Sequence, residues 1–220
     1  MIVIATNNGK TYLSELLSDL ERIGCNEDIS VIDTQSSDAE SLEFIDSLKA
    51  GNKFNLKIKV YQTPYKGFDT GAYVYAINNL LADKFYFMQD SIKIKSIDYF
   101  IEIDKRLKPG VVVPLITFGP NLFDENEQID FCYDKFDSID YDKGIFGPIF
   151  AITNEDIQKI DKKYLVYPTN KMLQMGMERG WSVLFKKYGF EIDPIEGAYD
   201  YTKLSNDGYV FFKKNLPYRK

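Results

Sequence analysis

Residues 2–33 read IVIATNNGKTYLSELLSDLERIGCNEDISVID, and this stretch decides the fold. Ile2-Val3-Ile4-Ala5 is a short, continuously apolar run of the kind that forms a strand buried on both faces. Thr6-Asn7-Asn8-Gly9 turns the chain. Leu13, Leu16, Leu17, Leu20 and Ile23 then recur at helical spacing, and Gly24 ends the helix. Ile29-Ser30-Val31-Ile32-Asp33 returns as a second strand. Strand, helix and strand in so short a span predict a right-handed βαβ unit, and with it a parallel sheet.

The rhythm continues outward from that unit. Thr34 to Asp38 lead into a helix with Leu42, Ile45 and Leu48 on one face. Residues 57–61 alternate in polarity, as a strand nearer a sheet edge does. Residues 71–81 read as a buried helix and 85–88 as a fourth strand. A helix over 97–107 precedes a fifth strand, 111–116. The expected fold class is α/β: three layers, with helices on both faces of a mostly parallel central sheet. Ligands of such sheets bind beyond the carboxyl ends of the strands, which singles out Thr6, Asn7, Asp33, the segment 62–69 and Gln89-Asp90-Ser91. After residue 117 the pattern loosens. Residues 118–143 read as an acidic loop carrying Phe131, Tyr133, Phe136 and Tyr141. A strand at 149–152, a helix from Asn154 and a long helix over 170–188 follow. In the last, Leu173, Met177, Trp181, Leu184, Phe185 and Tyr188 form a stripe that reads as core.

At 220 residues the chain suits a single domain able to bury roughly 70% of its surface without disulfides or a structural metal. Lys and Arg number 27 against 33 Asp and Glu, a net charge of −6, which argues against a duplex nucleic acid as partner. There is no histidine. That excludes Ser-His-Asp and Cys-His catalysis, His-bound zinc and any imidazole proton transfer. Cys25 and Cys132 stand apart without metal-like spacing and read as reduced thiols of a cytoplasmic protein. No apolar run approaches the length of a signal-peptide core or a transmembrane span. Lys213-Lys214 through Arg219-Lys220 is a mildly basic stretch that suits a solvated tail, a membrane surface or a junction with a further domain.

Neither G-x-G-x-x-G nor the P-loop pattern occurs, so the strand ends must supply the chemistry. Asp33 can accept from a base N–H or a ribose hydroxyl, or cap the next helix; Asp38 reads as a cap. Asp90 follows the apolar run Phe85-Tyr86-Phe87-Met88 and needs a partner: a divalent cation, a ribose hydroxyl or a basic side chain. Lys66-Gly67-Phe68-Asp69-Thr70-Gly71 precedes a helix whose first N–H groups are free, and its glycines permit close backbone approach. Asp69 either holds a sugar hydroxyl or caps that helix.

Several segments, in order, resemble the GT-A-fold glycosyltransferases, especially the inverting family 2 and rhamnosyltransferase-like members. IVIATNNGKTYLSELLSDL is similar to the first strand and helix, and ISVIDTQSSDAESLEFI to the segment whose Asp meets the nucleotide base. YKGFDTGAYVYAINNLLADKFYFMQDSI resembles the Gly-rich helix start and the strand ending in the Asp-x-Asp element. GPIFAITNEDI and MERGWSVLFKKYGFEI are similar to the acceptor-side strand and the helix carrying a Glu-Asp pair. The resemblance implies one domain over 1–220, with 1–117 binding the nucleotide sugar and 118–220 on the acceptor side. It implies transfer of a hexosyl or deoxyhexosyl group from a nucleotide-diphosphate sugar, UDP first, to a glycan or other hydroxyl acceptor with inversion. Thr6, Asn7, Asp33, Lys66 and Gly67 would bind the nucleotide, with Lys10 a weaker candidate. Asp69, Gln89 and Asp90 would face the donor sugar, and Asp90 would hold Mn²⁺ or Mg²⁺. Loop 118–143 would face the acceptor.

Two departures mark this chain. Gln89-Asp90-Ser91 stands where the family has Asp-x-Asp, and Met177-Glu178 where it has Glu-Asp. Without histidine the base that deprotonates the acceptor must be a carboxylate, and Glu178 is the candidate. Glu155 and Asp156 read instead as first-turn helix charges. IATNNGK is also similar to the opening of inosine-triphosphate pyrophosphatases, but their histidine-bearing motif is missing. A non-catalytic module of the GT-A type is a third reading, suggested by the altered Asp-x-Asp.

Overall fold

The computed structural model describes residues 1–51, 53–65, 68–121, 123, 126–195 and 210–212. In chain order the elements are β1 (Ile2–Thr6), α1 (Lys10–Arg22), β2 (Ile29–Asp33), α2 (Ala39–Gly51), β3 (Ile58–Gln62), α3 (Phe68–Asn79), β4 (Lys84–Gln89), β5 (Ile92–Ile94) and α4 (Asp98–Arg106). Then come β6 (Val111–Pro114), β7 (Thr117–Phe118), α5 (Asn126–Phe136), β8 (Gly144–Ile145), β9 (Phe150–Thr153), α6 (Asn154–Ile157), α7 (Lys171–Lys187), β10 (Glu191–Ile192) and β11 (Val210–Phe212).

Seven strands form the central sheet in the order β10-β6-β9-β4-β1-β2-β3. All neighbours are parallel except β9, which runs antiparallel to both β4 and β6. β3 lies at one edge, as its alternating polarity predicts. β1 sits inside the sheet, and its pleat explains its composition. Val3 and Ala5 face one apolar cluster with Phe85 and Phe87; Ile2 and Ile4 face the other with Tyr86 and Met88. Two faces to bury require a strand without polar alternation.

The acidic stretch 118–143 is not the open loop its composition predicts. It runs from β7 to β8 and holds α5, and Phe131, Phe136 and Tyr141 are buried in the core, leaving Tyr133 exposed. Two glycines on α7 are the reason. A Cβ on Gly176 would stand 2.7 Å from Phe131, and one on Gly180 2.4 Å from Phe136, so α5 packs directly on the α7 backbone. The acidic residues that follow α5 stay at the surface, where Lys186 pairs with Asp140 and Asp142, both at 2.8 Å. The apolar stripe on α7 is core as expected: Met177, Trp181, Leu184 and Phe185 are fully buried. No helix of the described residues is long and apolar enough to cross a membrane.

Candidate functional site

The chain runs outward from β1 through β2 to β3 and then returns to β4 on the other side of β1, so the order reverses between β1 and β4. A crevice opens at the carboxyl end of such a switch point. Register levels the strand ends there: Thr6 is opposite Asp33 across β1–β2, and Ala5 is opposite Gln89 across β1–β4. Thr6, Asn7, Asp33, Gln89 and Asp90 are therefore brought to one rim by strand pairing alone.

Asp90 is buried, and the Thr6 hydroxyl is one of its partners. The Thr6 hydroxyl donates to Asp90 Oδ2 at 2.7 Å, and Asp90 N–H donates to the Ala5 carbonyl. The carboxylate lies against Gly9, the N-cap of α1: a Cβ there would fall 1.8 Å from Oδ2. α1 has no acidic residue in its own first turn, so Asp90 supplies the negative charge at the positive end of that helix.

Asp33 is also engaged. Its Oδ1 accepts from Ser36 N–H at 3.0 Å and its Oδ2 from Gln62 Nε2 at 3.3 Å, which folds the loop after β2 onto its own strand end. Asn7 Nδ2 donates to the Thr34 carbonyl at 2.6 Å. Asp38 caps α2, accepting from Ser41 N–H at 2.8 Å, as its position predicts. Lys10 forms an exposed ion pair with Glu40 at 3.2 Å. Lys66 and Gly67 lie outside the described residues.

α3 completes the rim. Gln89 Nε2 donates to Asp69 Oδ2 at 2.7 Å and to the Gly147 carbonyl at 3.0 Å, joining β4 to the first turn of α3 and to the segment before β9. Glu178 on α7 is about a quarter exposed, with Arg179 Nη1 3.9 Å away. Tyr73 of α3 is buried close to several carboxylates. Burial pushes its phenol well above the ordinary value, and the carboxylates of Asp69, Glu178 and Asp90 add to the shift. Asp156 plays a structural part, accepting from Gly110 N–H, the Thr153 hydroxyl and Lys159.

Three further features escaped the sequence reading. Asn8 adopts φ 51°, and its Oδ1 accepts from Ser37 N–H at 2.7 Å and Asp38 N–H at 3.1 Å, tying the loops after β1 and β2 together. Gln35 and Phe68 also have positive φ, at 65° and 49°, so three strained non-glycine residues border the same rim. Tyr65, half exposed, pairs with Tyr167 at 4.2 Å beside the start of α3. The tripeptide Asn-Asn-Gly is a turn signal that points to Asn8; nothing in the sequence marks the tyrosine pair.

The donor set for a cation is narrow. Among the described residues no group of three or more His, Cys, Asp or Glu is arranged to hold a metal. Asp90 beside the Thr6 hydroxyl fits a hard divalent ion as a single-carboxylate site, the form in which ligand phosphates contribute the remaining oxygens.

No protein-family model matches the chain, and neither does any curated protein. Solved structures do. The Staphylococcus aureus TarS structure in complex with UDP matches with a TM-score of 0.54 and 15% identity, over 95% of this chain and 58% of that one. The mannosyltransferase PcManGT from Pyrobaculum calidifontis, in complex with GDP-Man and Mn²⁺, matches at 0.58 and 13% identity, over 94% of this chain and 57% of that one. An active-site mutant of LgtC matches at 0.54 and 15% identity, over 84% and 69%. The chain thus has the GT-A glycosyltransferase fold: a three-layer α/β domain with a mostly parallel central sheet. It spans less than two thirds of the length of the TarS and PcManGT chains.

Proposed function

We propose that this chain is a glycosyltransferase that takes a sugar from a nucleotide-diphosphate sugar, UDP first, and transfers it with inversion to a hydroxyl of a glycan or similar acceptor. The observation that carries the reading is the convergence of Thr6, Asn7, Asp33, Asp69, Gln89 and Asp90 on one rim, at the switch point of a fold that TarS and PcManGT share. Thr6, Asn7 and Asp33 border the base and ribose, a buried polar surface that discriminates because a wrong base leaves its groups unpaired. Residues 1–117 hold the donor and 118–220 the acceptor side. Asp90 would hold Mn²⁺ or Mg²⁺, whose charge would offset that of the leaving diphosphate. Asp69 and Gln89 face the donor sugar. Glu178, half-sheltered on α7, takes the proton of the attacking hydroxyl. The TarS and PcManGT structures bind UDP and GDP-Man with Mn²⁺ respectively, which supports this donor class. We place the protein in the cytoplasm, where its two buried thiols remain reduced.

The test has two parts. A thermal-shift screen of UDP, GDP, dTDP and inosine triphosphate, each with and without Mn²⁺, is expected to show stabilisation by a nucleoside diphosphate. Stabilisation by inosine triphosphate alone would move the protein to the pyrophosphatase class. Glu178→Gln is then expected to keep donor affinity and lower transfer by about 10²-fold or more. Near-normal transfer removes Glu178 as the base, and absent turnover in the wild type marks a binding module.

A further inference from the structure

Two side chains, one on α3 and one on α7, are buried and lack hydrogen-bond partners: the Tyr73 hydroxyl and both amide atoms of Gln174. Interior polar atoms are nearly always paired, so each such group requires an explanation. Their position supplies one. On α7, at about 100° per residue, Gln174, Glu178, Trp181 and Phe185 share a face. Trp181 Nε1 donates to Thr70 Oγ1 at 3.4 Å, and the Trp181 and Phe185 rings lie 5.4 and 5.2 Å from that of Phe150. That face therefore looks at α3 and β9, while Gly176 and Gly180 look at α5. On α3, Tyr73 stands one turn deeper than Asp69. Its ring is 4.7 Å from Phe87, which lies two residues deeper than Gln89 on the same face of β4. Tyr73 thus stands one level deeper in the fold than the pair in which Gln89 donates to Asp69.

We propose that Tyr73 and Gln174 are ring-binding residues, whose hydrogen bonds are completed by the hydroxyls of a neutral pyranose entering where Gln89 now holds Asp69. This deepens the glycosyltransferase reading and rests on it. The chemistry fits a polyol: a phenol donates, and an amide both donates and accepts, as a sugar hydroxyl does. Burial keeps the Tyr73 phenol protonated, and therefore a donor. Asp69, Glu178 and Asp90 make the surroundings acidic, which disfavours a ring that carries its own carboxylate, such as a uronic acid.

Calorimetric titration of UDP, UDP-glucose, UDP-glucuronate, GDP and GDP-mannose tests this on the wild type, Tyr73→Phe and Gln174→Met. Nucleoside diphosphate affinity is expected to stay constant across the three proteins. Affinity for the sugar nucleotide is expected to fall about three- to tenfold in each variant, the scale of one neutral hydrogen bond. Tyr73→Phe retains the ring and removes an unpaired hydroxyl, so its Tm is expected to hold or rise. A lower Tm would make the hydroxyl structural and overturn its part. Equal sugar-nucleotide affinity in all three proteins overturns the inference and leaves the glycosyltransferase reading standing. Failure of every nucleotide to bind the wild type removes that reading, and this inference with it. Tighter binding of UDP-glucuronate than of UDP-glucose overturns the neutral ring.

Discussion

Substituting Gly9 by alanine tests how the site is assembled. Gly9 has φ −111° and ψ 22°, angles open to alanine, so the backbone bears no strain. The cost is steric. The new Cβ would stand 1.8 Å from Asp90 Oδ2 and 2.7 Å from Thr6 Oγ1, where real Cβ contacts begin at 3.0 Å. The carboxylate must swing away, breaking the 2.7 Å bond from Thr6 and leaving the positive end of α1. A hydrogen bond to a charged group is worth about 1.5–3 kcal/mol. Glycine is also a better N-cap than alanine, by about 0.5–1 kcal/mol. The expected loss is about 2–4 kcal/mol, a large part of the roughly 5–15 kcal/mol that stabilises a domain. Urea unfolding of Gly9→Ala, Asp90→Ala and the double variant measures it. With Asp90 already truncated the clash is gone, and adding Gly9→Ala should cost only the capping difference. The coupling energy should therefore be about 1.5–3 kcal/mol. Costs that add to within about 0.5 kcal/mol would refute the contact, since independent sites behave in that way.

Other outcomes follow from buried groups away from the rim. Burial pushes the Asp156 carboxyl up, but hydrogen bonds from Lys159, Gly110 and Thr153 more than offset it and hold the group below its ordinary value of 3.8. Its stabilisation is then complete above that value and lost as pH falls through the lower folded pKa. Asp156→Asn is expected to lower Tm clearly at pH 7 and to show a shallower loss of stability than the wild type below about pH 4, followed by circular dichroism. Burial pushes the Cys132 thiol up to about 12, with Arg179 opposing weakly, and raises Cys25 as well. Neither thiol should react with a disulfide reagent at pH 8 until urea unfolds the chain; rapid labelling of the native protein would contradict this burial.

Residues 2–33 alone were enough to announce the sheet, because a strand buried on both faces cannot carry polar residues and a helix must place leucines at fixed spacing. The same periodicity located Thr6, Asp33 and Asp90, since a parallel sheet puts its strand ends on one side. Composition misled at 118–143, where charge density hid α5. The aromatics of that stretch are buried because Gly176 and Gly180, distant in sequence, leave room for them on α7. Partnership was beyond the sequence altogether. That Asp90 answers to Thr6 and Gly9, that Gln89 holds Asp69, and that the Tyr73 hydroxyl is buried unpaired are consequences of strand register and of α3 and α7 packing against one sheet. Local pattern chooses the elements, because it depends on which face each residue must bury. Only tertiary packing decides which polar groups meet, because the bond between Thr6 and Asp90 spans eighty-four residues and no periodicity reaches that far.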